Sequence, residues 1–114
     1  MIQACRLLTA FAAFFTLTLS ARAQDALTGA AVLERCTSAE ASNVNWCVGF
    51  VYGVGAVVAD GSIEGRLRAC LPPDFTAETA RLLVVSTLEK TDALRDLPGA
   101  YAVWYAFRKE FPCR

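Results

Sequence analysis

Four cysteines, Cys36, Cys47, Cys70 and Cys113, fall in the roughly ninety residues that follow an apolar N-terminal leader, and the chain contains no histidine. A domain of that size buries only a modest share of its surface, so covalent closure must carry part of its stability. In an oxidising compartment these cysteines pair, and four of them permit three pairings.

The leader points to such a compartment. Arg6 precedes the apolar stretch Leu7 to Leu19, and Ala21-Arg22-Ala23 supplies the small-x-small pattern that signal peptidase cuts after. Residues 1–23 read as a secretory signal peptide cleaved after Ala23, leaving 24–114 as a single mature domain outside the cytoplasm. The apolar run is shorter than the roughly 20 residues a membrane-spanning helix needs, and no later segment reads as approaching that length, so no stable membrane insertion is expected after cleavage. Cys5 lies ahead of the apolar stretch, where it cannot serve as a lipid attachment site. Cleavage removes Arg6 and Arg22 and no acid, leaving nine basic and eleven acidic residues, a net charge of −2. Without a basic patch or stripe, nucleic acid is not an expected partner.

The mature chain reads as all-α, a small disulfide-stapled bundle of about four helices. Thr28 caps a first helix that ends near Thr37, with Ala31, Val32 and Cys36 on its apolar stripe. Asn43 reads as the cap of a central helix in which Val44, Cys47, Val48, Val51, Val54, Gly55 and Val58 recur at three- and four-residue spacing until Asp60-Gly61. Its β-branched residues also suit a strand, but the apolar period is not two and Gly53 and Gly55 would weaken one. Residues 61–75, with Pro72-Pro73, read as a loop. Thr76 caps a third helix that buries Ala80, Leu83, Val84, Thr87 and Leu88, with Glu78 and Lys90 placed to suit the helix dipole. A short polar connection, 92–97, leads to Pro98 in the first turn of a fourth helix. Ala100, Val103, Trp104, Phe107 and Phe111 form its apolar face, and Pro112 stops it.

Short connections place the start of the third helix and the end of the fourth together, bringing Cys70 near Cys113, and let Cys36 face Cys47 across a turn. Pairs 36–47 and 70–113 are favoured on that ground. In the chain-entropy picture such loops stabilise by roughly 3 and 4 kcal/mol.

Several chemistries are disfavoured. No C-x-x-C pair and no histidine is available for zinc or for a reactive dithiol, and Ser-His-Asp or Cys-His catalysis cannot be assembled. Asp60, Glu64 and Asp74 are carboxylates in a loop, where solvation or capping is the usual role, so neither an enzyme nor a cofactor is expected. The aromatic set Trp46, Phe50, Tyr52, Tyr101, Trp104 and Tyr105 reads as core rather than as a ligand pocket. Gly49 and Gly53 share a helical face and read as a site of close packing within the bundle.

Cys36, the segment Trp46-Cys47-Val48-Gly49-Phe50-Val51-Tyr52-Gly53, the loop Cys70-Leu71-Pro72-Pro73 and the closing Phe111-Pro112-Cys113 resemble, in that order, the Rap/Tai family of type VI secretion immunity proteins. The likeness spans nearly the whole mature chain. It departs after the third helix, where Thr91-Asp92 stands in place of a frequent proline. The resemblance implies a periplasmic, all-helical protein that binds a secreted toxin, often a peptidoglycan-cleaving amidase, and occludes its active site.

A preorganised, stapled scaffold suits that work because it loses little entropy on binding. The expected contact loops are 60–68, with Asp60, Glu64, Arg66 and Arg68, and 91–97, with Asp92, Arg95 and Asp96. Replacing Arg95 and Asp96 by alanine is expected to weaken toxin binding without moving the thermal midpoint. A homodimer is compatible with this reading. The alternatives are an orphan periplasmic envelope-stress or chaperone-like protein and a small-molecule binding module built on the aromatics.

Overall fold

The computed structural model describes residues 27–114, so the signal peptide and its cleavage site lie outside the described residues. Helix α1 spans Gly29–Cys36, α2 Ala41–Ala59, α3 Ala77–Lys90 and α4 Gly99–Glu110, with a 3-10 helix at Asp92–Asp96. Among the described residues there is no strand, only isolated bridges between Thr28 and Pro98 and between Ala69 and Pro112.

Side-chain capping fixes two of the helix starts. The Thr28 hydroxyl accepts from the Ala31 amide at 3.2 Å, and the Thr76 hydroxyl accepts from the Thr79 amide at 3.1 Å, each satisfying a donor that the first turn leaves unpaired. Helix α2 begins earlier than its sequence suggests. Asn43 is not its cap, because the Asn43 amide already donates to the Glu40 carbonyl at 3.1 Å and lies inside the first turn. The Asn43 side chain turns back to donate to the Ser38 hydroxyl at 3.1 Å, and the same hydroxyl accepts from the Glu40 amide. At α4, Pro98 is the capping residue and Gly99 the first helical one.

The core joins all four helices. Val32 of α1, Val51 of α2, Val84 and Leu88 of α3, and Val103 and Phe107 of α4 are fully buried. Each such side chain contributes roughly 1.5–3 kcal/mol relative to exposure. The inward face of α4 carries Gly99, Ala102, Val103, Ala106 and Phe107; Ala100 is exposed and Trp104 half-buried, so the stripe is rotated from the one its large residues suggest. The two alanines let α4 sit close, and its bulk is concentrated in Phe107.

Two glycines lock α1 to the start of α4. The Gly29 amide donates to the Leu97 carbonyl at 2.9 Å, and the Gly99 amide donates to the Leu27 carbonyl at 2.6 Å. A Cβ on Gly29 would overlap the Leu94 carbonyl oxygen, and one on Gly99 would lie 2.8 Å from Val32 Cγ2. Disulfides join Cys36 to Cys47, between α1 and α2, and Cys70 to Cys113, between the loop after α2 and the chain end. The start of α3 meets the end of α4, where the Phe75 ring packs edge-on against Phe107 and Phe111.

Candidate functional site

Helix α2 has no charged residue in its 19 positions, yet only Cys47, Val51, Gly55 and Val58 are buried. A helix apolar all round is ordinarily enclosed by its neighbours. By length and composition α2 is also long and apolar enough to cross a membrane, which corrects the sequence reading that no segment after the leader approaches that length. Here it packs on α1, α3 and α4 and is disulfide-bonded to α1. Among the described residues it remains partly uncovered, with Tyr52 58% exposed on the side toward Leu71 and Phe75 and Val57 58% exposed on the face toward α4.

That face forms one wall of an open trough of about 650 Å³ between α2 and α4. Phe50, Val54 and Val57 of α2 face Ala100, Tyr101 and Trp104 of α4, and Gly49 and Gly53 leave room on the α2 side. A second hollow of about 250 Å³ shares Val57, Val58, Tyr101 and Trp104 and extends the surface to Ile63 and Leu67 of the following loop. Tyr101 and Leu67 are themselves exposed.

Gly49 and Gly53 do not serve close packing within the bundle, because among the described residues a Cβ at either position would meet nothing within 4 Å. The close approach occurs instead at Gly55, over which the Phe107 ring lies. Nor do the six singled-out aromatics form the core: Tyr52 and Tyr101 are exposed, and Trp46, Phe50, Trp104 and Tyr105 are half-buried. Trp46 stacks on Phe50 with centroids 5.0 Å apart, and the Arg35 guanidinium sits 4.3 Å above the Trp46 ring. Phe50 thus enters the trough wall already backed by a cation–π stack.

The loop bordering the trough is held from α4. Trp104 Nε1 donates to the Leu67 carbonyl at 2.7 Å, and Arg108 Nε donates to the Arg66 carbonyl at 2.9 Å. Asp60 accepts from the Ser62 hydroxyl at 2.6 Å and from the Ser62 amide at 2.7 Å, and these bonds hold its carboxyl below the usual carboxylate range. Glu64 and Arg66 pair at 2.6 Å in solvent, and Arg68 Nη2 lies 3.9 Å from Cys70 Sγ. Asp60, Glu64, Arg66 and Arg68 therefore share one fastened loop whose Ile63 and Leu67 line the apolar surface.

The other expected contact segment, residues 91–97, contributes no residue to the trough lining. Arg95 has a structural duty there: its Nε donates to the Leu88 carbonyl at 2.9 Å, its Nη2 to the Glu89 carbonyl at 3.0 Å, and its Nη1 lies 3.3 Å from Asp92. It satisfies carbonyls that the end of α3 leaves open. Asp92 and Asp96 are exposed. Arg81 does the same for α1, donating to the Cys36 carbonyl at 2.8 Å while its Nε donates to Glu78 at 2.9 Å.

Chemically the trough is a contact surface. Among the described residues no charged group lines it, and the Trp104 N–H already has its acceptor in the Leu67 carbonyl. A small-molecule site generally adds a few convergent polar groups to an apolar lining. Aromatic residues in an apolar centre with a polar rim are instead the anatomy of a protein interface. Among the described residues no group of three acidic or cysteine side chains is placed to hold a metal ion.

The sequence model of the Rap1a immunity proteins matches residues 28–113. No curated protein and no solved structure matches the chain.

Proposed function

Because the chain belongs to the Rap1a immunity protein family, we propose that it acts in the periplasm as the immunity partner of a secreted antibacterial toxin, binding it through the α2/α4 trough and occluding its active site. The toxin would be a type VI secretion effector that attacks the cell wall, of the peptidoglycan amidase kind. The observation that carries the choice of surface is an uncharged central helix whose face toward the trough no other element covers among the described residues. Tyr101, Trp104 and Phe50 supply the aromatic anchors on which interface energy concentrates. Glu64, Arg66 and Arg68, on the loop that adds Leu67 to the same surface, would form its polar rim and set register; Asp60, Asp92 and Asp96 are exposed and line neither hollow. Nothing in this role requires a catalytic group in the immunity protein.

The test is capture of the oxidised mature chain, residues 24–114, with the producer's own secreted proteins, followed by calorimetry on the partner. The expected result is one cell-wall hydrolase, inhibited at one-to-one stoichiometry. Val57→Lys should weaken its binding at least tenfold with the thermal midpoint unchanged, since Val57 is 58% exposed. Many weak clients held at acid pH would favour the chaperone-like role instead. A tight hydrolase whose affinity ignores Val57→Lys would move the interface off the trough.

A further inference from the structure

The two disulfides differ in what governs attack by a thiolate. Cys36 and Cys47 are both fully buried, enclosed with Val32 and Val51 in the core. Cys70 is exposed and Cys113 is half-buried. Thiol–disulfide exchange requires access to a sulfur and is faster when the departing sulfur leaves readily as a thiolate. Arg68 Nη2, 3.9 Å from Cys70 Sγ, is a cation placed to stabilise that thiolate.

We propose that Cys70–Cys113 is a redox latch that an external dithiol opens from the folded state, whereas Cys36–Cys47 is released only by unfolding. The reductant's thiolate attacks Cys113 Sγ, the bond to Cys70 breaks, and Cys70 departs as a thiolate beside Arg68. The reductant's second thiolate then attacks its own sulfur in the mixed disulfide and releases Cys113. Two electrons pass to the protein, the dithiol becomes a disulfide, and its two protons are taken up by the two cysteines. The bond closes the longer loop, with 43 residues separating its cysteines against 11 for the other pair. It is therefore the heavier staple in the chain-entropy picture, and the contrast is one of access and rate.

The latch has something to release. Cys70 donates its amide to the Phe111 carbonyl at 2.8 Å, and Ala69 bridges Pro112, so the bond ties the loop after α2 to the chain end. That loop carries Ile63 and Leu67 into the hollow that adjoins the trough. Opening would loosen one wall of the surface while the core and the buried Cys36–Cys47 bond stay in place. The consequence for binding rests on the proposed function; the chemistry does not, and it is tested on the protein alone.

The oxidised mature protein is treated with excess dithiothreitol without denaturant, alkylated at timed points and mapped by peptide mass, with circular dichroism in parallel. Cys70 and Cys113 should be alkylated together, at least tenfold sooner than Cys36 and Cys47, in a species that keeps its helical signal. Glutathione, as a monothiol probe, should leave its adduct on Cys113. Arg68→Ala should slow the opening several-fold, and Arg68→Lys should restore part of the rate. Simultaneous alkylation of all four cysteines, or helix loss on opening of the first bond, would overturn the latch. An adduct on Cys70, or an unchanged rate in Arg68→Ala, would overturn the part given to Arg68.

Discussion

The Phe107 ring lies over Gly55, with two of its edge carbons 3.3 Å from where a Cβ on that glycine would stand. Phe107 is fully buried, and the Phe75 ring packs edge-on against it. Gly55→Leu should therefore destabilise the fold by about 1–3 kcal/mol through overpacking. Gly49 and Gly53 are mid-helix and open, so Gly49→Ala and Gly53→Ala should each stabilise it by about 0.5–1 kcal/mol through helix propensity. Urea midpoints of the three variants test the opposite signs directly.

Arg95 answers to the fold before it answers to any partner. With its guanidinium on the Leu88 and Glu89 carbonyls, Arg95→Ala should cost about 1 kcal/mol, a value kept low because the side chain is partly solvated. Arg95→Lys should recover only part, since a single ammonium does not reproduce the fork. The thermal midpoint is the readout, and it should fall in Arg95→Ala but not in Asp96→Ala. The double replacement expected from sequence to leave stability untouched would therefore confuse binding with folding.

The paired glycines at the α1 and α4 starts should be the least tolerant positions outside the hydrophobic core. At Gly29 the obstacle to a Cβ is the Leu94 backbone carbonyl, which has no rotamer to change. At Gly99 one obstacle is the Val32 methyl and another the Leu27 carbonyl at 3.1 Å. Gly29→Ala should lose more stability than Gly99→Ala, and both should lose more than the roughly 0.5 kcal/mol typical of an ordinary surface change. Equal midpoints for the two variants would contradict this reading of the clasp.

Apart from the two cysteine pairings, which followed from short connections, what was legible in the sequence was local. Thr28 and Thr76 act at short range through their own hydroxyls, and α3's 3.6-residue period placed Ala80, Val84 and Leu88 inward. What was not legible depended on tertiary partners. Gly49, Gly53 and Gly55 are equivalent by composition, and only the position of Phe107 distinguishes the packed one from the two open ones. The aromatics read as core because apolar rings at helical spacing usually are, whereas Ala102 and Ala106 took the inward positions of α4 and left Tyr101 outside. The absence of charge along α2 was a visible signal for the trough, but burial explains such a run equally well until the neighbours are known.

Acid should weaken the fold through Glu78. The hydrogen bond from Arg81 is the main cause holding the Glu78 carboxyl below its ordinary range, and the same bond raises Arg81. A carboxyl depressed in the folded state binds fewer protons than in the unfolded chain. Its stabilisation is present above the unfolded value and is lost as pH falls through the folded one. The chain has no histidine, so stability should be flat from about pH 5 to 8 and decline below roughly pH 4.5. Glu78→Gln should flatten part of that acid decline while leaving the neutral plateau flat. A decline already under way at pH 6 would point to a group other than this pair.

The loop that walls the trough depends on one indole hydrogen bond. Trp104 is the only α4 residue that both lines the hollow and donates to the loop backbone, at the Leu67 carbonyl. Trp104→Phe keeps an aromatic surface but removes the donor, and should cost about 0.5–1.5 kcal/mol, the usual net worth of one such bond. The larger effect should be local. With Arg108 holding the Arg66 carbonyl and Cys70 still bonded to Cys113, the loop stays attached at both sides but loses its central fastening. Amide exchange should therefore accelerate in the stretch from Glu64 to Ala69, where the Leu67 and Arg68 amides donate to the Glu64 carbonyl, while the α2 and α3 core amides exchange as before. Uniform acceleration across the domain would mean that the indole supports the core itself and that the loop is not a separate unit.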